Sequence, residues 1–248
     1  MRILAWNILH GGSNRADQIV EAIVSHDPDI IALTEFRRKP GMRICEALER
    51  QGWKHVKSTD PNGSENGICV LSRVAIQRID DPPVPLESAV RWLDIYLTDQ
   101  TFGLTVVNIL GSGAGLTSGE KRGAAKSRFW AALLAACATR VGQSFLLLGD
   151  FNTGLHGMDE VGRTFYCAEH FARLSALGWT DVWRQFHGQK VEFTWYSILK
   201  GGRVGNGFRL DHAFATPSLL ARLTDCRYSH SERESKISDH SLMIVEFM

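Results

Sequence analysis

Residues 145–152 read Phe-Leu-Leu-Leu-Gly-Asp-Phe-Asn, an apolar run that ends at Asp150 and Asn152. A short apolar run bounded by Gly predicts a buried strand. Polar residues just past such a strand lie at the rim of a sheet, where α/β enzymes place their sites. A carboxylate two residues from a carboxamide can position or deprotonate water beside a neutral hydrogen-bond donor. A Gly-Asp turn with an Asx hydrogen bond explains the same two residues, so other parts of the chain must decide between the two interpretations.

The length and composition of the chain fit one large α/β domain. The sequence has 248 residues, of which 44% are hydrophobic and 22% charged, and this is enough for a substantial core. Because no linker or fixed repeat divides the chain, we expect a single domain over residues 1–248. The net charge is only +1, so binding to a polyanion would require local Lys and Arg groups to share one rim.

The cysteines and the N-terminal residues indicate a cytoplasmic protein. The 5 cysteines are scattered and lack zinc-ligand spacing, which favours reduced thiols. The N terminus becomes polar too quickly for a signal peptide, and no apolar stretch approaches the roughly 18–20 residues of a membrane span. We therefore expect no membrane association, no protein partner and a monomer.

Strands and helices alternate in both halves of the sequence. A helix rich in Ala and Leu is predicted over residues 120–140, directly before the strand at 145–150. Two strand-rich blocks with helices outside them predict two packed mixed sheets. The fold class that follows is a four-layer α/β sandwich.

Polar residues also follow or interrupt other predicted strands. They are Asn7, Glu35, Asp211, Asp239 and His240. Oxygen ligands of this kind suit Mg²⁺ or Mn²⁺ better than Zn²⁺. Glu35 and Asp239 are the natural carboxylate ligands, with Asn7 close by, because Mg²⁺ takes roughly one or two protein carboxylates and completes its shell with water and phosphate oxygens.

The remaining polar residues suit the hydrolysis of a phosphoester. Asp150 can hold or deprotonate the attacking water, while Asn152 and Asn7 can donate to the developing negative charge. His240 can donate to a phosphate oxygen if a carboxylate fixes its tautomer, and Asp211 is the candidate for that carboxylate.

Five short blocks carry these residues along nearly the whole chain. The blocks are Trp6-Asn7, Asp29-Ile30-Ile31-Ala32-Leu33-Thr34-Glu35, Gly149-Asp150-Phe151-Asn152, Arg209-Leu210-Asp211 and Ser238-Asp239-His240. In type and order they resemble the endonuclease/exonuclease/phosphatase superfamily of Mg-dependent phosphodiesterases, which share a DNase I-like fold. One block alone is a weak signal, whereas five in order are a strong one.

The C-terminal third is similar to the exonuclease III-type apurinic endonucleases. The segment Phe193-Thr194-Trp195-Tyr196 is followed by a Gly-rich turn and then by Gly207-Phe208-Arg209-Leu210-Asp211. The resemblance implies that Trp195, Phe208 and Leu210 wall a pocket for a base-less sugar, and that Arg209 also binds substrate. Aromatic and Leu residues on strands suit a hydrophobic core equally well.

Two positions depart from that nuclease branch. The resemblance implies that Asn108, at the end of a predicted strand, contacts the substrate. The branch carries a Tyr after this strand, but this chain has Ile109-Leu110-Gly111. Where the branch has Asp or Asn two residues after the first Asn, this chain has Leu9, followed by His10. His10 either replaces a lost phosphate contact or caps its loop.

The sequence thus predicts a Mg²⁺- or Mn²⁺-dependent phosphodiesterase that acts on DNA as a repair-type endonuclease or exonuclease. The alternative is a phosphatase or phosphodiesterase for a small molecule or lipid headgroup, which Leu110 and the low net charge favour. A non-catalytic binding module of the same fold predicts the loss of acidic residues, and the main ones are present.

Overall fold

Two six-stranded mixed sheets pack face to face and carry helices on their outer sides. The computed structural model describes residues 1–79, 82–98, 102–111 and 122–248. The strands of the first sheet are β1 (Arg2–Asn7), β2 (Ile30–Phe36), β3 (His55–Ser58), β4 (Gly67–Ser72), β13 (Leu223–Ser229) and β14 (Leu242–Phe247), in the order β13-β14-β1-β2-β4-β3. Those of the second are β5 (Ile76–Ile79), β6 (Trp92–Leu97), β7 (Phe102–Asn108), β8 (Phe145–Asp150), β9 (Thr180–Asp181) and β12 (Asp211–Ala215), in the order β5-β6-β7-β8-β12-β9. A separate hairpin pairs β10 (Trp195–Ile198) with β11 (Val204–Phe208).

The helices of the described ranges cover the two sheets or connect their strands. They are α1 (Ala16–His26), α2 (Arg38–Arg50), α3 (Arg122–Arg140), α4 (Ala168–Ala176), α5 (Val182–His187), α6 (Pro217–Leu220) and α7 (Ser231–Glu234), with 3₁₀ turns at Ser13–Arg15 and Leu86–Arg91. The helix predicted over residues 120–140 is α3, and positions 120 and 121 lie outside the described residues. No helix in the described ranges is both long and apolar enough to cross a bilayer.

Three buried apolar clusters separate the four layers. The central cluster joins the inner faces of the two sheets through residues such as Ile3 and Leu148. A second cluster packs α1 and α2 on the first sheet, and a third packs α3 and α4 on the second sheet. Since burying one large aliphatic side chain contributes about 1.5–3 kcal/mol, these clusters are the main source of stability. The predicted four-layer sandwich is confirmed.

A parallel strand pair in each sheet brings polar strand ends together. In the first sheet β1 runs parallel to β2, and Asn7 lies opposite Thr34. In the second sheet β7 runs parallel to β8, and Asn108 lies opposite Asp150. Because β12 pairs antiparallel with β8, its first residue, Asp211, also lies opposite Asp150.

Arg209 is the centre of a buried ion-pair cluster. Its side chain is 0% exposed, with Nε 2.7 Å from Asp159 Oδ1 and Nη2 2.6 Å from Asp181 Oδ2. Burial alone would raise the pKa of Asp159, but the charge of Arg209 outweighs it and holds that pKa at about 2. The expectation that Arg209 binds substrate is therefore wrong, because its guanidinium is committed to two carboxylates inside the protein.

We expect Arg209→Met to lower the free energy of unfolding by about 3–5 kcal/mol, because it leaves two buried carboxylates that share Arg184 as their remaining arginine partner. The same change at Arg203, an exposed residue before β11, should stay within about 0.5 kcal/mol. Urea unfolding followed by circular dichroism measures both. Equal, small effects of the two substitutions would show that the cluster does not stabilise the fold.

Candidate active site

A cavity of about 460 Å³ opens where the polar strand ends meet. Its lining includes these predicted residues: His10, Glu35, Asp150, Asn152, Trp195, Phe208, Leu210, Asp239 and His240. Asn7, Asn108 and Asp211 are buried and outside this lining. A separate cavity of about 560 Å³ beside α2 is lined by none of the predicted residues among those described. We therefore place the candidate site at the strand ends.

Asp150 is held by hydrogen bonds from both sheets. Its side chain is buried, and Oδ2 accepts from Asn7 Nδ2 at 3.0 Å and from Asn152 Nδ2 at 2.8 Å. Oδ1 accepts from the backbone N–H of Asn152 at 2.9 Å. Burial is the main cause that raises the pKa of Asp150 to about 7. The charge of His240 lowers this pKa, and the charge of Asp211 raises it. A carboxylate with such a pKa is suited to accept a proton near neutral pH.

The two amide side chains of Asn7 and Asn152 both donate hydrogen bonds to Asp150. Asn152 Nδ2 donates both to Asp150 and to the carbonyl of Ile109, at 3.0 Å. Asn7 Nδ2 donates to Asp150, and its Oδ1 accepts from the N–H of Leu9 at 3.0 Å. These bonds hold the carboxylate in place, and the donation from either amide to charge developing on a substrate stays a prediction.

His240 and Asp211 form a buried hydrogen-bonded pair. His240 Nδ1 donates to Asp211 Oδ2 at 2.9 Å. Burial would lower the pKa of His240, but the nearby carboxylates, first Asp211 and then Asp150 and Asp239, outweigh it and raise the pKa to about 10. The ring is thus an imidazolium at neutral pH, and Nε2–H remains as a donor for an anionic oxygen in the cavity.

Glu35 lies at an irregularity in the pairing of β2 with β4 and has a left-handed backbone, with φ 54°. A bulge of this kind re-aims a side chain out of the ladder, and here the carboxylate lines the cavity. Its Oε2 accepts from the N–H of His10 at 2.9 Å, while Asp239 Oδ2 accepts from Trp195 Nε1 at 2.9 Å. Each carboxylate keeps its other oxygen free of hydrogen bonds to described residues.

These free carboxylate oxygens fit a hard divalent cation, which prefers oxygen ligands. Ligand atoms of Asp150, Asp211 and His240 also lie within 4.8 Å of one another. A protonated His240 that donates to Asp211 does not ligate a cation, so Glu35 and Asp239 are the better metal ligands. Asn7 is buried, with both its amide atoms in hydrogen bonds, and it does not share their position in the lining.

The loop that carries His10 has an unusual backbone. Five successive residues, from Leu9 to Ser13, have positive φ angles of 49°, 55°, 76°, 76° and 46°. A Cβ on Gly11 would lie 2.8 Å from Arg37 Cβ, and one on Gly12 would lie 2.5 Å from Ile19 Cδ1. Glycine is needed at both positions, because L side chains are strained at these φ values and have no room here.

This loop places the His10 ring on the rim of the cavity. The side chain is 55% exposed, and Nδ1 lies 2.9 Å from both Glu35 Oε2 and Arg37 Nη2. The ring contacts groups from β2 and the residue after it, so it does not cap its own loop. The geometry thus speaks against the capping role, and the phosphate contact of His10 stays a prediction.

Aromatic residues form one wall of the cavity. The ring centroids of Trp195 and Phe208 are 5.8 Å apart, and Phe165 lies 5.7 Å from Phe208. Phe165 and its neighbours Thr164 and Tyr166 belong to the segment after β8. They were not predicted, because this segment carries no helical or strand periodicity.

Two cations near Asp150 were also missed, the half-buried Arg91 and the buried Lys126. Arg91 donates to the carbonyl of Asn108 at 3.3 Å; burial lowers its pKa, while the charges of Glu35 and Asp150 raise it. Lys126 donates from Nζ to the carbonyl of Asn152 at 2.6 Å. No sequence signal distinguishes these two from ordinary surface cations. Asn108 itself does not line the cavity, and its Nδ2 has no hydrogen-bond partner among the described residues.

Comparison with known proteins gives a consistent result. The model of the Endonuclease/Exonuclease/phosphatase family matches residues 4–240. An exodeoxyribonuclease of Streptococcus pneumoniae is 23% identical over 280 residues, which cover 99% of each chain. A 3′ phosphatase, NExo, from Neisseria, solved with a product DNA hairpin, has 23% identity and a TM-score of 0.84, with 100% of this chain and 99% of that one covered. An AP endonuclease from Archaeoglobus fulgidus has 18% identity and a TM-score of 0.83, with the same coverage.

We expect Asp211→Asn to lower the pKa of His240 from about 10 by about 1–3 pH units, because an opposite charge at hydrogen-bond distance is lost while burial remains. NMR titration of the histidine ring nitrogens measures this change. Asp17→Asn, at an exposed position on α1, should leave the titration unaltered. A His240 ring that is neutral at pH 7 in the unsubstituted protein would contradict the assignment.

Proposed function

The chain belongs to the endonuclease/exonuclease/phosphatase family, and from that premise we propose that it is a metal-dependent phosphodiesterase of the DNA-repair type. The observation that carries this proposal is the pairing of a proton acceptor with a buried cation at one cavity. Asp150 has a pKa of about 7, and His240 has a pKa of about 10. A base that can accept a proton beside a cation that can bind an anionic oxygen is what hydrolysis of a phosphodiester by water requires.

The roles proposed for the protein groups follow from their contacts. Asp150 accepts the proton of the attacking water, and the amides of Asn7 and Asn152 keep its carboxylate in place. His240 donates from Nε2 to a phosphoryl oxygen, and Asp211 orients its ring. Each group thus acts at a fixed position, which reduces the cost of orientation during the reaction.

Glu35 and Asp239 would hold Mg²⁺ or Mn²⁺ in this proposal. Both carboxylates line the cavity, and both carry an oxygen free of hydrogen bonds to described residues. When bound, such a cation neutralises charge on the phosphoryl oxygens and the leaving group. The hydrogen bond from Trp195 to Asp239 orients one of the two ligands.

The walls of the cavity favour DNA as the substrate. Trp195, Phe208 and Leu210 together form an apolar face beside His240, which fits a sugar without its base. Arg37 lies on the rim next to His10, and Arg233 and Lys236 line the adjacent groove beyond Asp239. Cations on both sides of the cavity fit a strand that continues past the scissile phosphate, so the low net charge of the whole chain does not oppose DNA binding.

The relatives support the same substrate class, since those compared include an exodeoxyribonuclease, a 3′ phosphatase bound to a DNA hairpin and an AP endonuclease. We further propose that residues 1–248 act as one domain, because both sheets share a continuous core, and that the protein is a monomer. The competing candidate is a phosphoesterase for a small molecule or lipid headgroup. It is favoured by Leu110, which is 7% exposed and offers no polar group after β7.

We expect Asp150→Asn to lower the turnover of duplex DNA by about 10²–10⁴-fold with the fold retained, because a positioned base contributes that much. The assay compares an abasic-site duplex, an intact duplex and bis(p-nitrophenyl) phosphate, with Mg²⁺ and after EDTA. Asp17→Asn is the matched control on the surface of α1. Full turnover by Asp150→Asn, or full activity in EDTA, would refute the proposed mechanism.

The dependence on salt separates the two substrate classes. For DNA we expect KM to rise steeply between low and physiological salt, since each phosphate contact contributes a slope of about −0.9 in log K against log salt. A small phosphoester should show a weak dependence. Steady-state kinetics on both substrates decide the matter, and a flat salt profile on DNA together with faster turnover of the small ester would favour the competing candidate.

A further inference from the structure

Lys126 is a buried lysine that the proposed mechanism does not use. It lies near the start of α3 and is 2% exposed. Its Nζ donates to the backbone carbonyl of Asn152 at 2.6 Å. A buried ammonium group is costly unless it is paired or hydrogen-bonded. The burial of Lys126 therefore needs an explanation in the structure around it.

The explanation lies in the backbone of Asn152. The residue has a left-handed conformation with φ 46°, which is costly for a residue other than glycine unless its surroundings hold it. Its N–H and Nδ2 are bonded to the two oxygens of Asp150, and Nδ2 also reaches the carbonyl of Ile109. The carbonyl is the remaining backbone group of Asn152, and Lys126 is its partner.

The electrostatic surroundings keep Lys126 largely charged at neutral pH. Burial lowers its pKa to about 8, while Cys167 and Asp150 raise it. Cys167, which precedes α4, contacts Ser127 Oγ at 3.6 Å. A charged donor forms a hydrogen bond roughly twice as strong as a neutral one, so the contact with Asn152 is well suited to hold a strained turn.

We propose that Lys126 is a positioning residue, which holds the turn after β8 in the conformation where Asn152 fixes the carboxylate of Asp150. Lys126 does not line the cavity and acts through Asn152 alone. The kinetic test of this inference rests on the proposed phosphodiesterase activity. Its structural test rests on the geometry of the turn alone.

The test compares Lys126→Met, Lys126→Arg and Lys54→Met, the last being the same change at an exposed position. We expect Lys126→Met to lower kcat by about tenfold to a hundredfold with little change in KM, because a misplacement of about 1 Å in a positioned group has that effect. Lys126→Arg should recover much of kcat, since the guanidinium can donate to the same carbonyl. Lys54→Met should match the unsubstituted protein. An unchanged kcat in folded Lys126→Met would overturn the proposal.

A double-substitution cycle with Asn152→Ala distinguishes positioning from a general structural role. If Lys126 acts through the Asn152 side chain, Lys126→Met should cost little further kcat in the Asn152→Ala background, as expected for coupled residues. Fully additive losses, or a fall in apparent kcat that follows the loss of folded protein, would overturn the proposal.

NMR of the side-chain amide of Asn152 provides a readout that needs no activity. Its signals should move in Lys126→Met, return towards their original position in Lys126→Arg, and stay in place in Lys54→Met. If the unsubstituted protein cleaves no phosphodiester, the proposed function fails, and this measurement alone decides the inference. Unmoved Asn152 signals in Lys126→Met would then refute it.

Discussion

The hydrogen bond from Asn7 to Asp150 joins the two sheets at the edge where their strands end. Asn7 closes β1 in the first sheet and Asp150 closes β8 in the second, and both side chains are buried. A buried carboxylate is tolerated only when its oxygens are hydrogen-bonded. The packing of the sheets, the register of the parallel pairs and the turn at Asn152 must therefore all be in place together. The proton affinity of Asp150 depends on this assembly, because burial is the main cause of its raised pKa.

The positions of the acidic and amide residues at strand ends could be predicted from the sequence. An apolar strand that stops at a polar residue leaves a local pattern, and parallel strands bring such ends to one edge. Glu35 and Asp150 illustrate this, since they lie at the ends of β2 and β8 and both line the same cavity. The four-layer architecture could also be predicted, because the alternation of strands and helices is visible in local sequence patterns.

Contacts between residues distant in sequence could not be predicted from the sequence. Arg209 stands beside Asp211 in a family block, yet its partners Asp159 and Asp181 come from other elements and keep it inside the protein. Lys126 has the sequence context of a surface lysine on a helix, and its contact with Asn152 exists only after α3 has packed on the second sheet. The hydrogen bonds from Asn7 and Asn152 to Asp150 were not predicted either, because the partner of an Asn side chain depends on how the chain folds around it.

The left-handed loop from Leu9 to Ser13 restricts how this edge of the protein can diversify. Gly11 and Gly12 are closed to substitution by Arg37 and Ile19, and the N–H groups of Leu9 and His10 fix the start of the loop to Asn7 and Glu35. Leu9 and His10 line the cavity, so they are the loop positions at which a substitution changes the site without adding a Cβ at Gly11 or Gly12. A change of substrate preference through this loop therefore falls on two adjacent positions. Single substitutions there would alter the rim of the cavity and leave the buried Asp150, Asp211 and His240 unchanged.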